Sequence, residues 1–309
     1  MNNTERFTVK FHGVRGGFPV PGESTVKYGG NTTCFEIWAS EQRLVVDAGT
    51  GIIQLGRDIV NTRQDQDSEI NCFLLLTHLH HDHIQGLPFF APFIHPQGRL
   101  RIFGFTPGGG TTLQQELLHL IQPPVSPLGV DKVLSQYQID ELSDGDLIQI
   151  NPGEEFSRNC RVISGEPQKD VRLIQIQVHH GQNHPQNGVL IYRIWYRNRS
   201  LVIATDTEGI AGGDRDIIRF AQGADLLIHD AEYDENEYGK NNIYRQGWGH
   251  STWKMAVEVA QNAGVGRLVL FHHNAAHSDD TLDAIWEKAN KELPGVIMAK
   301  ESLELSVAG

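Results

Sequence analysis

The sequence predicts an α/β fold in which helices and strands form stacked layers. Short apolar segments bounded by glycine or polar residues alternate with segments of helical periodicity, a pattern typical of α/β proteins. Several of the apolar segments end in histidine or aspartate, which would place polar groups along one rim of a sheet. The sequence shows no internal repeat and no coiled-coil heptad, and residues 1–309 are expected to form a single domain.

The N-terminal half contains short strand-like segments separated by glycine turns. Two other segments, residues 52–60 and 111–122, carry apolar residues at helical spacing instead. The segment around 106–135 contains the second helix and is rich in glycine and proline, so it is expected to form a lid or insertion. The strands expected in this half are residues 7–17, 34–39, 43–49, 72–77 and 100–105.

The C-terminal half repeats the alternation of strands and helices, and its strands again end in histidine or aspartate. Helices are expected over residues 254–264 and 281–291. The expected strands are residues 171–180, 189–196, 201–206, 225–230 and 267–273.

The composition describes an acidic chain. The 26 Lys and Arg residues and 38 Asp and Glu residues give a net charge of −12. This argues against broad electrostatic binding of a polyanion, which needs many contacts between cations and phosphates. The three cysteines are scattered, as expected in a reducing compartment. The chain starts without a signal-peptide pattern and has no apolar run of membrane-spanning length. We therefore expect a cytoplasmic protein without a membrane partner.

The 15 histidines are the unusual feature of the composition, and the segment 77–83, THLHHDH, concentrates them. His78 and His80 are two residues apart and would point the same way on an extended segment, and Asp82 and His83 follow where the chain turns. Imidazole and carboxylate without thiolate suit catalytic zinc, manganese or iron. A histidine-rich surface loop is the alternative interpretation. Other residues of types that can bind a metal ion lie near the ends of other predicted strands: His179, His180, His184, Asp206, Asp230, His272 and His273.

The segment HLHHDH resembles the H-x-H-x-D-H motif of the metallo-β-lactamase superfamily. Further segments are similar, in the same order, to its phosphodiesterase and RNase Z-like branch: VRGGFPVPG, YGGNTTCFEI, VVDAGTG, HPQNGVLIYRI, ATDTE and LVLFHHN. The resemblance covers about residues 7–280. It implies a four-layer αββα sandwich with two divalent metal ions at one edge, zinc being expected and manganese the alternative.

The resemblance also implies a role for each matching residue. Asp206 would bridge the two ions, and Asp47 would hydrogen-bond a ligand from behind. The position of each motif favours His184 over His179 and His180, and His272 over His273. The implied ligands are His78, His80 and His184 for one ion and Asp82, His83 and His272 for the other.

Two later segments, HDAE (229–232) and GHST (249–252), resemble motifs of the RNase Z-like branch. There an acid orients a histidine that protonates the leaving alkoxide, and the matching residues are Asp230 and His250. With Asp82, these are the expected catalytic residues. The alternative is that His250 only precedes a helix whose N-terminus Ser251 and Thr252 would cap.

These features predict a metal-dependent phosphodiesterase in which a hydroxide bridging the two ions attacks phosphorus. The chain lacks the long basic arm with which RNase Z grips tRNA. Together with the net charge, this favours small cyclic phosphodiesters as substrates and argues against an extended nucleic acid as a partner. The resemblance to bacterial cyclic-nucleotide phosphodiesterases, including phage anti-Pycsar enzymes, points the same way.

Other functions remain alternatives: an RNase Z-like tRNA 3′-processing endonuclease, a glyoxalase II-like thioesterase, and a non-catalytic metal-binding regulatory protein. The resembled branch also includes many homodimers, so a homodimer is an expected assembly. Four residues were selected as substrate contacts: Arg15, Asn31, Ser251 and Trp248. For Arg15 and Asn31 the alternative is a role in holding the N-terminal loops together.

Overall fold

The computed structural model describes residues 5–307 except 64, 66, 107, 109, 124–136, 169–171, 182–183, 186–187 and 240–244. The strands are β1 Phe7–Gly13, β2 Cys34–Ala39, β3 Gln42–Val46, β4 Ile70–Leu75, β5 Gly98–Gly104, β6 Tyr137–Glu141, β7 Asp146–Ile150, β8 Cys160–Ser164, β9 Ile174–Gly181, β10 Val189–Tyr196, β11 Arg199–Ala204, β12 Leu226–Asp230, β13 Leu268–Phe271, β14 Ile297–Met298 and β15 Glu304–Ser306. The helices are α1 Gly51–Asn61, α2 His81–Ile84, α3 Ala91–Ile94, α4 Leu113–Ile121, α5 Arg215–Ala221, α6 Glu235–Tyr238, α7 Trp253–Ala263 and α8 Asp279–Glu292.

The strands form two mixed sheets. In the first, the order is β15-β1-β2-β3-β4-β5-β6, and the pairs from β3 to β6 are parallel. In the second, the order is β14-β13-β12-β11-β10-β9-β7-β8, and the pairs from β11 to β14 are parallel. Because the carboxyl ends of parallel strands meet at one edge, residues that follow β4, β11, β12 and β13 are brought to a common rim.

Three apolar clusters hold the layers together. The central cluster contains side chains from both sheets, such as Phe11, Phe35 and Phe271, whose rings contact one another. A second cluster packs α5, α7 and α8 on the outer face of one sheet, and a third packs α1, α3 and α4 on the other. The expected αββα sandwich is therefore confirmed, with one buried layer between the sheets and one beneath each helical layer.

Local sequence signals explain where the longer helices begin. The Thr252 side chain accepts a hydrogen bond from the Met255 amide at the start of α7, and Ser278 does the same for Thr281 in α8. Gly264 ends α7 in the left-handed conformation, φ 62°. Helix α4 begins with a capping box formed by Thr112 and Gln115.

The expected strands and helices are present, with bounds that shift by a few residues. The sequence pattern did not predict β6, β7, β8, α3, α5, α6 and the two short C-terminal strands. Strands β6 and β8 carry mixed, half-exposed residues, YQIDE and CRVIS, which lack the apolar runs seen in the sheet centres. Part of the expected lid, residues 107, 109 and 124–135, lies outside the described residues, and the single domain stays a prediction. Within the described part of the chain, no helix is long and apolar enough to cross a membrane.

Candidate active site

The histidines and aspartates selected from the sequence meet at the rim where the parallel strands end. His78, His80, Asp82 and His83 follow β4 and enter α2, while Asp206 follows β11 and His272 follows β13. His184 comes from the connection between β9 and β10. Most of these side chains are buried, with His83, Asp206 and His272 at most 1% exposed.

The first group consists of His78, His80 and His184, whose ligand atoms all lie within 4.8 Å of one another. His184 Nε2 is 3.2 Å from His80 Nδ1, and His184 Nδ1 is 3.2 Å from the Gly249 carbonyl oxygen, to which it can donate. His78 Nδ1 lies 3.1 Å from the Thr77 hydroxyl. These outer contacts leave Nε2 of His78 and Nε2 of His184 to face the other members of the group.

The second group consists of Asp82, His83, Asp206 and His272. His83 Nε2 lies 3.2 Å from His272 Nε2, 3.4 Å from Asp82 Oδ2 and 3.3 Å from Asp206 Oδ2. His272 Nε2 lies 3.2 Å from Asp82 Oδ2. Asp206 also approaches the first group, since its Oδ1 is 3.7 Å from His78 Nε2.

Both groups fit divalent metal ions. Four ligands at about 2.0–2.1 Å around a tetrahedral ion lie about 3.3 Å apart, which matches the separations in the second group. His78 Nε2 is buried and has no hydrogen-bond partner among the described residues, so a ligand is needed there. Imidazoles and carboxylates are also the donor set that zinc and manganese accept.

The electrostatics of the first group favour neutral imidazoles, the form that binds a metal. Burial lowers the pKa of His78 and of His80, and it lowers the pKa of His184 to about 4. In the second group, burial acts in the same direction, but the adjacent carboxylates outweigh it and raise the pKa of His83 and His272. A cation between these carboxylates would therefore replace protons on the two imidazoles.

The backbone at the site is held in an uncommon conformation. Asp47, Asp206 and His272 have φ values of 58°, 54° and 61°, in the left-handed region that non-glycine residues rarely adopt. Each follows a strand by one or two residues. Such strain is typical of functional sites, where packing overrides local preference.

The structure distinguishes between the competing histidines. His272 enters the second group, whereas His273 turns away and lies 2.8 Å from the Ala299 carbonyl oxygen. His179 Nδ1 lies 3.0 Å from Asp144 Oδ1, and the His180 ring packs on Phe105. None of these three side chains is near either ligand group, whereas His184 is.

Asp47 supports the site from behind. It is fully buried, and its carboxylate accepts hydrogen bonds from the Thr77 amide at 2.8 Å and the Thr77 hydroxyl at 2.9 Å. Its Oδ2 lies 2.8 Å from His83 Nδ1, which turns His83 Nε2 toward the other ligands. Such contacts fix the tautomer and orientation of a metal-binding imidazole.

A second carboxylate–imidazole pair stands beside the ligand groups. Asp230 Oδ2 lies 2.9 Å from His250 Nδ1, and Asp230 Oδ1 accepts from the Ser251 amide at 2.8 Å. Burial lowers the pKa of His250, but the Asp230 carboxylate and its neighbours dominate and raise it to about 9. These carboxylates favour the protonated form of His250, and the hydrogen bond to Asp230 fixes the orientation of its ring.

Glu232 was missed, although it lies in the HDAE segment. Its Oε2 is 3.2 Å from His272 Nδ1 and 3.3 Å from His250 Nε2, and its Oε1 accepts from the Asn274 side chain at 3.0 Å. The position two residues after Asp230, at the end of β12, was the available signal. Glu232 thus connects the candidate general acid to a candidate metal ligand.

A surface cavity of about 380 Å³ opens onto the ligand groups and His250. The cavity is lined by histidines and carboxylates of the kind that bind metal ions, by backbone atoms, and by two side chains that can contact a nucleotide, Arg245 and Trp248. The residues that line it are Gly17, His80, His81, Asp82, Asp206, Glu232, Tyr233, Arg245, Trp248, His250 and Asn274.

Only one of the four expected substrate contacts, Trp248, lines this cavity, and the other three have structural partners. Arg15 is fully buried and donates to the backbone oxygens of Gly29, Asn274 and His277, so it holds loops together. For Asn31, the partner is the Glu301 carboxylate. Ser251 is 1% exposed and donates from Oγ to the Thr207 carbonyl oxygen at 2.6 Å. The helix cap expected there is supplied by Thr252 alone.

Two glycines pack directly on the ligand imidazoles. A Cβ atom at Gly16 would lie closer than 3.0 Å to the His272 ring, and one at Gly249 would lie closer than 3.0 Å to the His184 ring. Gly249 also has φ +90°, which disfavours other residues. Glycine backbone therefore packs directly against one imidazole ring of each ligand group.

Comparison with known proteins identifies the family. The model of the Beta-lactamase superfamily domain matches residues 42–273. A ribonuclease Z of Picrophilus torridus is 24% identical over 331 residues, covering 97% of this chain and 96% of that protein. A ribonuclease Z of Gemmatimonas aurantiaca is 38% identical over 112 residues, covering 36% of this chain and only 33% of that protein.

A solved structure extends the likeness at the level of the fold. The metallo-beta-lactamase fold protein YhfI from Bacillus subtilis superposes with a TM-score of 0.63 at 19% identity, covering 97% of this chain and 99% of that chain.

The relatives correct one expectation from the sequence. Proteins similar to this chain over nearly its whole length are named as ribonucleases, which act on RNA. The prediction of a small phosphodiester as partner, with an extended nucleic acid argued against, is therefore wrong. The net charge was a poor guide to the substrate because it sums the charges of the whole surface, whereas a nucleic acid contacts only one part of a surface. On the family match over residues 42–273, the chain belongs to the beta-lactamase superfamily, and over nearly its whole length it is similar to proteins named ribonuclease Z.

Proposed function

We propose that this protein is a metal-dependent ribonuclease that hydrolyses a phosphodiester bond near an RNA 3′ end, as an RNase Z-like tRNA-processing endonuclease does. The observation that carries the proposal is the Asp230–His250 pair, 2.9 Å apart, beside two groups of metal-ligand types. A hydrolase of esters with good leaving groups has little need of such a pair. Cleavage of RNA must expel a poor leaving group, an alkoxide, and benefits from a positioned acid.

The ligand groups would hold the metal ions. His78, His80 and His184 would bind one ion, and Asp82, His83 and His272 the other, with Asp206 shared between them. Such ions polarise a phosphoryl oxygen and activate water. The chain holds its ligands in place through Asp47, Thr77 and the Gly249 carbonyl, so little reorganisation is needed when ions bind.

The proton for the leaving oxygen would come from His250. Its Nδ1 is engaged by Asp230, so the proton to be transferred would be on Nε2, which lies 3.3 Å from Glu232 Oε2 beside the cavity. Asp230 is itself fixed by the Ser251 amide and is fully buried, which restricts the imidazole to one orientation. This is the arrangement required of an imidazole that acts as an acid at a stated atom.

RNA as the substrate rests on the nearly full-length relatives named ribonuclease Z. The cavity is compatible with it, because it opens at the surface and carries an exposed tryptophan, Trp248, at its rim. A chain passing over the surface could enter this cavity with one nucleotide while the rest stays outside.

The test is cleavage of a 3′-extended precursor tRNA by metal-loaded protein, with product ends mapped by sequencing. Chelation should abolish cleavage, and zinc or manganese should restore it. Cyclic nucleotides and a thioester are assayed in parallel at the same ionic strength. The proposal fails if RNA remains intact while a cyclic nucleotide is hydrolysed, or if only the thioester reacts.

A further inference from the structure

One permanently cationic side chain, Arg245, lines the cavity at the candidate active site. The other described lining residues include the carboxylates of Asp82, Asp206 and Glu232 but no further Arg or Lys. In a chain of net charge −12, a guanidinium beside the candidate metal ligands is a specific feature.

The surroundings of Arg245 hold its guanidinium in place without fully pairing it. The guanidinium carbon lies 4.7 Å from the centre of the Tyr233 ring, and Nη1 lies 3.8 Å from Glu237 Oε2. Nη1 is buried yet has no hydrogen-bond partner among the described residues. The side chain as a whole is 24% exposed and lines the cavity, so other parts of the guanidinium can be reached by a ligand.

Trp248 stands on the same turn. Its amide donates to the Arg245 carbonyl at 3.2 Å, and the residue is 54% exposed, an unusual fraction for a large aromatic residue. An exposed indole at the rim of a cavity offers a flat surface for a base. Together the turn presents a cation for phosphate and a surface for stacking.

We propose that the turn Arg245–Trp248 is a nucleotide subsite: Arg245 binds the phosphate next to the scissile one, and Trp248 stacks on an unpaired base. The inference rests on the proposed function and narrows its substrate class, because a base can stack on a protein side chain only when it is free of a duplex. The bond that is cut therefore lies in a single-stranded RNA segment.

The experiment uses metal-loaded full-length protein and a single-stranded oligoribonucleotide with one cleavage site. Two further substrates carry an abasic nucleotide on one side or the other of that site. The variants are Arg245→Ala, Arg245→Lys, Trp248→Ala and Trp248→Phe. The controls are Arg219→Ala, an exposed arginine paired with Asp216 on α5, and Trp286→Phe, whose indole donates to the Val296 carbonyl.

Trp248→Ala should lower kcat/KM for the intact substrate about 5- to 150-fold, the range expected for one stacked base. Trp248→Phe should restore most of the loss, because a phenyl ring also stacks. With one of the abasic substrates the variant and the wild type should differ little. A purely structural role for Trp248 would instead reduce all three substrates alike, and that result would overturn the proposal.

Arg245→Ala should weaken the salt dependence of kcat/KM, reducing the slope of its logarithm against the logarithm of salt concentration by about 0.7. Arg245→Lys should keep the slope and lose part of the rate, since an ammonium lacks the planar fork. An unchanged slope in Arg245→Ala would contradict a phosphate contact. Both control variants should behave as wild type.

A binding measurement separates this inference from the proposed function. If the wild type leaves both the oligoribonucleotide and the precursor tRNA uncut, the proposed function fails, and calorimetric titration of metal-loaded protein with adenosine 5′-monophosphate decides the subsite. Weaker binding in both alanine variants than in the controls would support the subsite, and equal binding would overturn it.

Discussion

Replacing His250 by alanine should lower the cleavage rate by a factor that depends on the leaving group of the substrate. The imidazole is held by Asp230 at 2.9 Å and lies outside the two groups that gather His78, His80 and His184 on one side and His83 with its neighbours on the other. Its removal should therefore take away a proton donor while leaving the metal content near that of the wild type.

The magnitude follows from the fixed geometry of the pair. A positioned acid contributes about 10²–10⁴-fold when the leaving group is an alkoxide. Expulsion of p-nitrophenolate needs little protonation, so bis-p-nitrophenyl phosphate should lose less than about tenfold. Asp230→Asn keeps the imidazole but removes a charged hydrogen-bond acceptor, worth about 1.5–3 kcal/mol, so it should cost RNA cleavage about 10- to 150-fold.

The assay compares kcat/KM for the RNA substrate and for bis-p-nitrophenyl phosphate in each variant, with metal content measured by atomic emission on the same preparations. His179→Ala is the matched control. Its Nδ1 lies 3.0 Å from Asp144 Oδ1, a pair of the same kind that does not line the cavity onto which His250 opens. This control should leave both activities unchanged.

Equal loss on both substrates, with metal retained, would refute the reasoning. His250 would then position the phosphate or the surrounding chain and would not donate a proton. Loss of metal in His250→Ala would refute it differently, because His250 would then be a ligand together with Asp206, Asp230 and His272, a set that also lies close enough to hold an ion.

Three further predictions test the ligands and the fold. In metal analysis, Asp206→Ala should lower the content of both ions and His184→Ala mainly that of one. His179→Ala should leave the metal content unchanged. Loss of metal in His179→Ala alone would show that the third ligand of the first ion is misassigned. Asp47→Asn should weaken zinc binding about 10- to 100-fold in competition with a chromophoric chelator, and unchanged affinity would exclude its supporting role. Burial raises the pKa of Glu36, but the neighbouring His12 imidazole and the Arg43 guanidinium outweigh burial and lower the pKa from 4.5 to about 2. Because the folded-state pKa is the lower one, the carboxylate stabilises the fold above pH 4.5, and this contribution is lost as the pH falls toward 2. Glu36→Gln should therefore cost about 3 kcal/mol at pH 7 in urea denaturation of metal-free protein and progressively less below pH 4.5, and a cost that does not vary with pH would contradict this.

The arrangement of the candidate site was largely predictable, because strand ends carry the information in linear order. Apolar runs ending near Leu75, Ala204 and Phe271 locate the carboxyl ends of three parallel strands. Side chains just beyond them must share a rim once the sheets form. Predicting the rim requires only the strand pattern, and this is why Asp206, which the structure places close to both groups, could be selected from the sequence.

Other features depend on tertiary contacts that no local pattern encodes. Which of His272 and His273 faces the second group depends on the left-handed conformation of His272, φ 61°, which turns the chain after β13. Glu232 gains its place only because α7 brings His250 over the end of β12. Arg15 looked like a phosphate contact, but Asn274 and His277 reach it from the far end of the chain.

The packing of Gly16 and Gly249 on the ligand rings limits how this protein can change over generations. Any other residue at either position adds an atom where an imidazole ring already lies, so the ring must move and the metal geometry with it. Each glycine therefore constrains the histidine that it faces, and a side chain at either position is expected to displace a candidate metal ligand.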